Sequence, residues 1–231
     1  MAPADSLAQM RILIIGATGT IGRPVVAALQ GRHEIVLASK NKASEKVDIA
    51  DPASIRALFK RAGKFDAVVV AAGDAAFKPF AQLEDEDFAL SIRSKLMGQV
   101  NVVRFGMDSV NDGGSFTLTS GTLAEHPMKN GAAASTVNGA INSFARAAAH
   151  EAPRGIRVNA VSPGPIATPL YSKLGLSAAD LKATSEALQN QIPAKRFGKP
   201  AEIASAVVFL ASDESAFTVG SELIIDGGLS L

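Results

Sequence analysis

The sequence predicts a doubly wound α/β fold, a single parallel sheet with helices on both faces, and three observations carry that reading. Short β-branched runs, RILII (11–15), EIVLA (34–38), DAVVVAA (66–72), GSFTLTS (114–120), IRVNAVS (156–162) and ELIID (222–226), alternate with longer amphipathic stretches. That is the rhythm of repeated strand–helix–strand units. Runs such as Ala67 to Ala72 are apolar on both faces, as strands covered from either side must be. The length of 231 residues, with 47% hydrophobic and 19% charged residues, suits one α/β unit with a sizeable core.

The elements follow in order. The first nine residues, MAPADSLAQ, carry an acid and lack a basic start or long apolar run, so they read as a flexible tail rather than a secretory signal. Residues 10–231 read as one domain. The strand at 11–15 runs into a glycine-rich turn and a helix over 20–30. Asp51 and Pro52 suit the N-cap and first position of a helix over 52–62. One long helix is expected near 87–110, another near 131–151 and a last near 200–212. After Ser162 the stretch PGPIATP interrupts regular structure, and LYSKLGLS beyond it reads as a flap of the kind that closes over ligands.

Composition narrows the functions. The 23 basic and 22 acidic residues nearly cancel, so no global field draws the chain to nucleic acid or an anionic membrane. With no cysteine and three scattered histidines, disulfides and Cys-ligated zinc are excluded and no metal site is expected. No apolar run approaches the ~20 residues of a membrane span. The expectation is a soluble, cytoplasmic protein with a small-molecule substrate.

The turn after the first strand is Gly16-Ala17-Thr18-Gly19-Thr20-Ile21-Gly22. Its setting between strand and helix makes the spacing informative. Gly16 permits the tight turn, Gly19 lets the backbone approach a pyrophosphate, and Gly22 lets helix and strand pack closely, so the helix N-terminus faces phosphates. This is the dinucleotide-binding turn of a Rossmann fold. At the end of the second strand an acid would bind the ribose 2′-OH of NAD(H) and repel a 2′-phosphate. The chain has Ser39, Lys40 and Asn41 there, and no acid between Ile35 and Ser44. NADP(H) is favoured over NAD(H).

From about Met10 to Gly228 the chain resembles the short-chain dehydrogenase/reductase family. Val47-Asp48-Ile49 is similar to the segment that holds adenine, and Ala71-Ala72-Gly73 to the family's Asn-Ala-Gly turn without its asparagine. Pro163-Gly164-Pro165-Ile166-Ala167-Thr168 resembles the loop that grips the nicotinamide carboxamide. Residues 196–203, 209–213 and 220–228 follow the closing motifs. The glycine pattern departs slightly, because the middle glycine of the usual form falls at Thr20 with Gly19 beside it. The resemblance also implies cofactor contacts at Thr119 and Asn138, and a homodimer or homotetramer built on the 131–151 helix and the ELIIDGG segment.

The family's chemistry depends on an Asn, Ser, Tyr and Lys acting together. Matching Arg146 to Glu151 with the end of the corresponding helix puts the tyrosine position at Ala134 and the lysine position at Asn138. The serine position falls at Gly121, the family's usual thirteen residues earlier, and the asparagine position at Lys95. Neither Ala134 nor Gly121 can donate a proton, so any reduction needs another donor. Candidates are His126, Glu125, Tyr171 and Lys95. His126 is the first choice, because it follows Gly121 by five residues and imidazole titrates near pH ~6.5. Lys95 and Asn138 look like a reciprocal exchange of the family's Asn and Lys. Two functions compete: an NADP(H)-dependent oxidoreductase with a non-standard acid/base, and a dinucleotide-binding sensor or partner subunit without redox turnover.

Overall fold

The computed structural model describes residues 9–167 and 178–231. Seven strands form one parallel sheet: β1 (Arg11–Ile15), β2 (Glu34–Ser39), β3 (Glu45–Lys46), β4 (Phe65–Val70), β5 (Val110–Thr119), β6 (Arg157–Pro163) and β7 (Glu222–Ile225), in the order β3-β2-β1-β4-β5-β6-β7. From β1 the chain moves outward to β2 and β3, then returns to place β4 on the other side. The reversal between β1 and β4 opens a crevice at their carboxyl ends, where ligands of such sheets bind.

Alternation along the strands builds the two layers. Leu13 and Ile15 of β1 join Val68, Val70, Phe116 and Leu118 on one face. There they meet α2 (Pro52–Ala62), α4 (Met97–Gly106) and α5 (Ala132–Glu151) through Ile55, Leu58, Val102 and Ile141. Ile12 and Ile14 point the other way and pack with Ala67 and Val69 against α1 (Gly22–Leu29) and α7 (Pro200–Ala211). Each fully buried Ile, Leu or Phe contributes about 1.5–3 kcal/mol relative to exposure. The side-chain period of two thus dictates which helix each strand residue holds.

Local chemistry fixes the ends. The Asp51 carboxylate accepts from Ala53 N at 2.9 Å with Pro52 in the first turn of α2. Arg157, buried at the start of β6, donates to the carbonyls of Leu210 (3.1 Å) and Ser212 (3.0 Å) and to Ser215 Oγ (2.8 Å). A strand residue thereby satisfies the orphan carbonyls at the end of α7.

The structure departs from the expected elements in three places. β3 was not anticipated. The long helix expected over 87–110 is divided into α3 (Asp85–Ser91), a π-helical turn over Ile92–Leu96, and α4. Beyond the expected flap the chain forms α6 (Ala178–Gln191). Thr168, Tyr171 and the rest of 168–177 lie outside the described residues, as do 1–8.

Candidate functional site

The crevice is built first from backbone. Ala71 N donates to Ile15 O at 2.8 Å, joining the ends of β4 and β1. Gly16, at φ +87°, sits so close that a Cβ there would lie 2.3 Å from Ala71 O, and a Cβ on Gly22 would lie 2.1 Å from Gly16 O. Only hydrogen fits at either position. Gly16 N donates to Ala38 O at 2.8 Å, tying the turn to β2. Thr18 is half-buried, Gly19 and Thr20 are exposed, and no side chain caps Ile21 at the start of α1. The Arg23 guanidinium, donating to Thr18 O at 2.9 Å, adds a cation to this glycine-lined turn at a helix N-terminus, the kind of cradle that a pyrophosphate requires.

The β2 end carries the expected cation with a partner. Lys40, 68% exposed at its side chain, lies 2.6 Å from the Asp48 carboxylate. The hydrogen bond from Lys40, joined by one from Ala50 N, holds the Asp48 carboxyl below the usual carboxylate range, and Asp48 raises the Lys40 ammonium. Ser39 is buried, and its Oγ accepts from Lys42 N (3.0 Å) and Ala43 N (2.8 Å). Its hydroxyl therefore shapes the turn that presents Lys40. Ile49 is buried, with its carbonyl against Gly98 of α4.

The third group lies deeper. Gly73, at φ +130°, packs so tightly on the π-helical turn that a Cβ would be 2.8 Å from Lys95 Cα. Lys95 is half-buried, its Nζ donates to Ser120 O at 3.2 Å, and burial pushes its pKa down to about 8. Ser120 Oγ donates to Asn138 O at 3.0 Å. Asn138 is buried, its Oδ1 has no hydrogen-bond partner, and its Nδ2 would lie 2.8 Å from a Cβ on Gly121. Lys95, Ser120, Gly121 and Asn138 thus form one cluster beside the Gly73 turn.

Gln99 was missed by sequence reasoning. Fully buried, it donates to Thr119 O (2.9 Å) and Lys95 O (3.2 Å) and accepts from Thr119 N (2.8 Å), bracing Lys95 against the end of β5. Its place four residues after Lys95, on the same helical face, is the signal that could have found it. Thr119 Oγ1 donates to Val70 O at 2.7 Å, a bond within the sheet. Ala71 and Ala72 border the Gly16 turn.

The closing loop is pinned from two sides. Gly164 N donates to Ile225 O (3.0 Å), and a Cβ on Gly164 would touch Asp226 Cβ at 2.5 Å. Pro165 O accepts from Gly198 N (3.0 Å) and Ala167 N donates to Gly198 O (2.9 Å), which leaves Ile166 buried. Pro163 is half-buried, and its carbonyl lies 3.4 Å from Thr122 Oγ1. Gly227 O accepts from Ala194 N at 3.0 Å, so residues 225–227 fasten both flanks of the 168–191 segment.

A family model described as Enoyl-(Acyl carrier protein) reductase matches residues 24–230. The chain is also 30% identical to a glucose 1-dehydrogenase of Gluconobacter oxydans (strain 621H) over 98% of this chain and 94% of that one. It belongs to the short-chain dehydrogenase/reductase family. Among solved structures, a small-chain dehydrogenase in complex with NADPH superposes with a TM-score of 0.87 at 28% identity, covering 96% of this chain and 99% of that one. The protein lin1944 from Listeria innocua gives 0.80 at 37% identity, covering 94% and 99%.

The cradle of this short-chain dehydrogenase/reductase fits a nicotinamide dinucleotide: glycines stand where a Cβ would collide, and Asn138 Oδ1 is an orphaned acceptor beside the cluster. The other sequence candidates are dispersed. His126 is exposed in the loop after Gly121 and, among the described residues, makes no side-chain hydrogen bond with the cluster; its backbone N donates to Thr122 O at 2.7 Å. Glu125 accepts from Asn142 Nδ2 at 3.4 Å. Burial, then the nearby Glu222 of β7, raises its pKa.

Proposed function

We propose that this chain is an NADP(H)-dependent oxidoreductase that interconverts a small carbonyl compound and its alcohol, with Lys95 and Asn138 in place of the usual acid/base pair. The observation that carries the reading is the Lys95 ammonium held at Ser120 O, over Gly73 and beside Asn138. The reduced nicotinamide, when bound, supplies hydride. Lys95 supplies the proton to the carbonyl oxygen, leaving a neutral amine that takes a proton back from solvent. A pKa near the working pH suits a group that both gives and regains a proton. Asn138 Oδ1 accepts a hydroxyl hydrogen bond from the ribose, the contact that its buried, unpaired state leaves open.

Preference for NADP(H) is supported by Lys40 at the exposed end of β2, by the absence of an acid over 35–44, and by the NADPH bound to a 28% identical neighbour. The relatives named glucose 1-dehydrogenase and L-fucose dehydrogenase make polyhydroxy alcohols a natural first group of substrates. A homodimer or homotetramer is supported by Phe217, Val219 and Ile224, exposed apolar residues around β7. A light-scattering mass of 23.8 kDa at micromolar concentration would refute it.

A second reading rests on Gly121 and Ala134, which carry no titratable group where the resemblance places the serine and tyrosine. On that reading the chain binds a dinucleotide without redox turnover. Mixing the NADPH-loaded protein with aldoses, ketones, aldehydes and quinones under single-turnover conditions decides between them. Loss of nicotinamide absorbance with one class supports the oxidoreductase; no loss with any leaves the binding protein.

A further inference from the structure

Outside the cradle and the Lys95 cluster, a cavity of about 370 Å³ opens between residues 78–80, the 127–130 loop and the first turn of α5. Its volume lies in the range of small-molecule sites, ~300–1,000 Å³. Its lining is mainly apolar, with Pro79, Phe80, Pro127 and Met128 prominent. Phe80 is 80% exposed and Met128 49%, so two large apolar side chains stand in water at its rim. Apolar surface gathered around a concavity marks a place of contact rather than a scattered accident. The walls are preformed: Lys78 N donates to Asn130 O at 3.1 Å, and Gly131 N donates to Met128 O at 3.1 Å.

Two lysines border the cavity, and they differ. Lys78 is committed to Asp87, with its Nζ 2.8 and 2.9 Å from the two carboxylate oxygens. Lys129 is exposed and has no ion pair among the described residues. Ser135, on the α5 wall, contributes a hydroxyl that is buried without a hydrogen-bond partner. The cavity therefore offers apolar walls and one uncommitted cation.

We propose that this cavity binds a small apolar monoanion, with its tail between Phe80 and Met128 and its anionic group on Lys129. Ala132 and Ser135 form the α5 wall of this cavity, and binding of the anion does not rest on the oxidoreductase reading.

The test uses the full chain labelled with ¹³C at its methionine methyls, of which there are five. The Met128 signal is assigned by its loss in Met128→Leu. Three probes share one tail and differ in charge: 4-phenylbutyrate, 4-phenylbutanol and 4-phenylbutylamine. The Met128 methyl should shift with the acid at about two- to fivefold lower concentration than with the alcohol, the worth of one exposed ion pair, and the amine should be weakest. Lys129→Gln should erase the difference between acid and alcohol, and Phe80→Ser should weaken all three. No shift with any probe, or an amine that matches the acid, overturns the proposal. A separate NADPH titration keeps the readings apart. If NADPH does not bind while Met128 still responds to the acid, the oxidoreductase reading falls and the anion site stands.

Discussion

Asn138 occupies the room that a side chain at position 121 would need, its Nδ2 lying 2.8 Å from a Cβ placed on Gly121. The two positions are therefore coupled: a serine at 121 and an asparagine at 138 cannot both keep their places. Gly121→Ser should turn the Asn138 amide aside and destabilise the fold by about 1 kcal/mol, the low end of overpacking, because the atom in the way is the end of a side chain. Gly121→Ser combined with Asn138→Ala should recover most of the loss. Urea unfolding of the two single variants and the double one measures the coupling, and additive losses would show that the positions are independent.

Lys95 makes stability and activity depend on pH in a defined direction. Its pKa falls from 10.5 to about 8 through burial. Between those values the unfolded chain holds a proton that the folded chain has lost, so Lys95 makes stability rise with pH across the window. Lys95→Met should lack that rise, which comparison of melting temperatures at pH 7.5 and 9.5 would reveal. Carbonyl reduction should fall as pH passes about 8, where the acid form disappears, and alcohol oxidation should gain. Parallel stability profiles for the two proteins would contradict the burial.

The Lys40–Asp48 pair sets opposite expectations for its two members. Lys40→Ala should weaken NADPH binding about tenfold or more, the worth of a charge-assisted bond, and leave NADH nearly unchanged. Asp48→Asn frees the ammonium and should tighten NADPH about two- to fivefold, as for an exposed pair. Calorimetric titration with both cofactors checks both directions. Equal affinity of the parent chain for NADPH and NADH would remove the basis of the preference.

Arg157 provides a control remote from the cleft. Its hydrogen bonds to Leu210 O and Ser215 Oγ are buried, and the one to Ser212 O is partly so. Arg157→Met should cost about 1.5–3 kcal/mol, because it removes charge-assisted hydrogen bonds and leaves Leu210 O and Ser212 O to Ser215 alone. The urea midpoint should drop, while the NADPH affinity of the remaining folded protein should stay as it was.

The fold was legible wherever hydrophobic period and turn chemistry agree, as at Ile12 to Ile15 followed by Gly16, or at Asp51-Pro52. β3 was not, because two residues, Glu45 and Lys46, show no period and owe their strand to pairing with Ala38 and Ser39. The π-helical turn at 92–96 was hidden because one wider turn barely disturbs a 3.6-residue pattern. α6 shows no sustained apolar stripe in AADLKATSEALQNQ, so periodicity did not separate it from the preceding loop. In the site, Gly16 and Gly22 announced themselves by spacing. Gln99 offered only its spacing of four from Lys95, since the Thr119 backbone atoms it engages lie on a strand twenty residues away.

The fastening of Gly164 to Ile225 and of Ala194 to Gly227 has a consequence for how the protein is made. A ribosome adds ~5–20 residues per second, so roughly 10–40 s separate the synthesis of Gly16 from that of Gly227. During that interval a nascent chain can assemble the phosphate turn and the first strands, but the 163–167 loop, even once Gly198 has been made, still lacks its anchor at Ile225. Competence to grip the nicotinamide end should therefore arrive abruptly, late in translation, and stalled chains shorter than about 225 residues should bind the adenosine portion of a cofactor without retaining the whole.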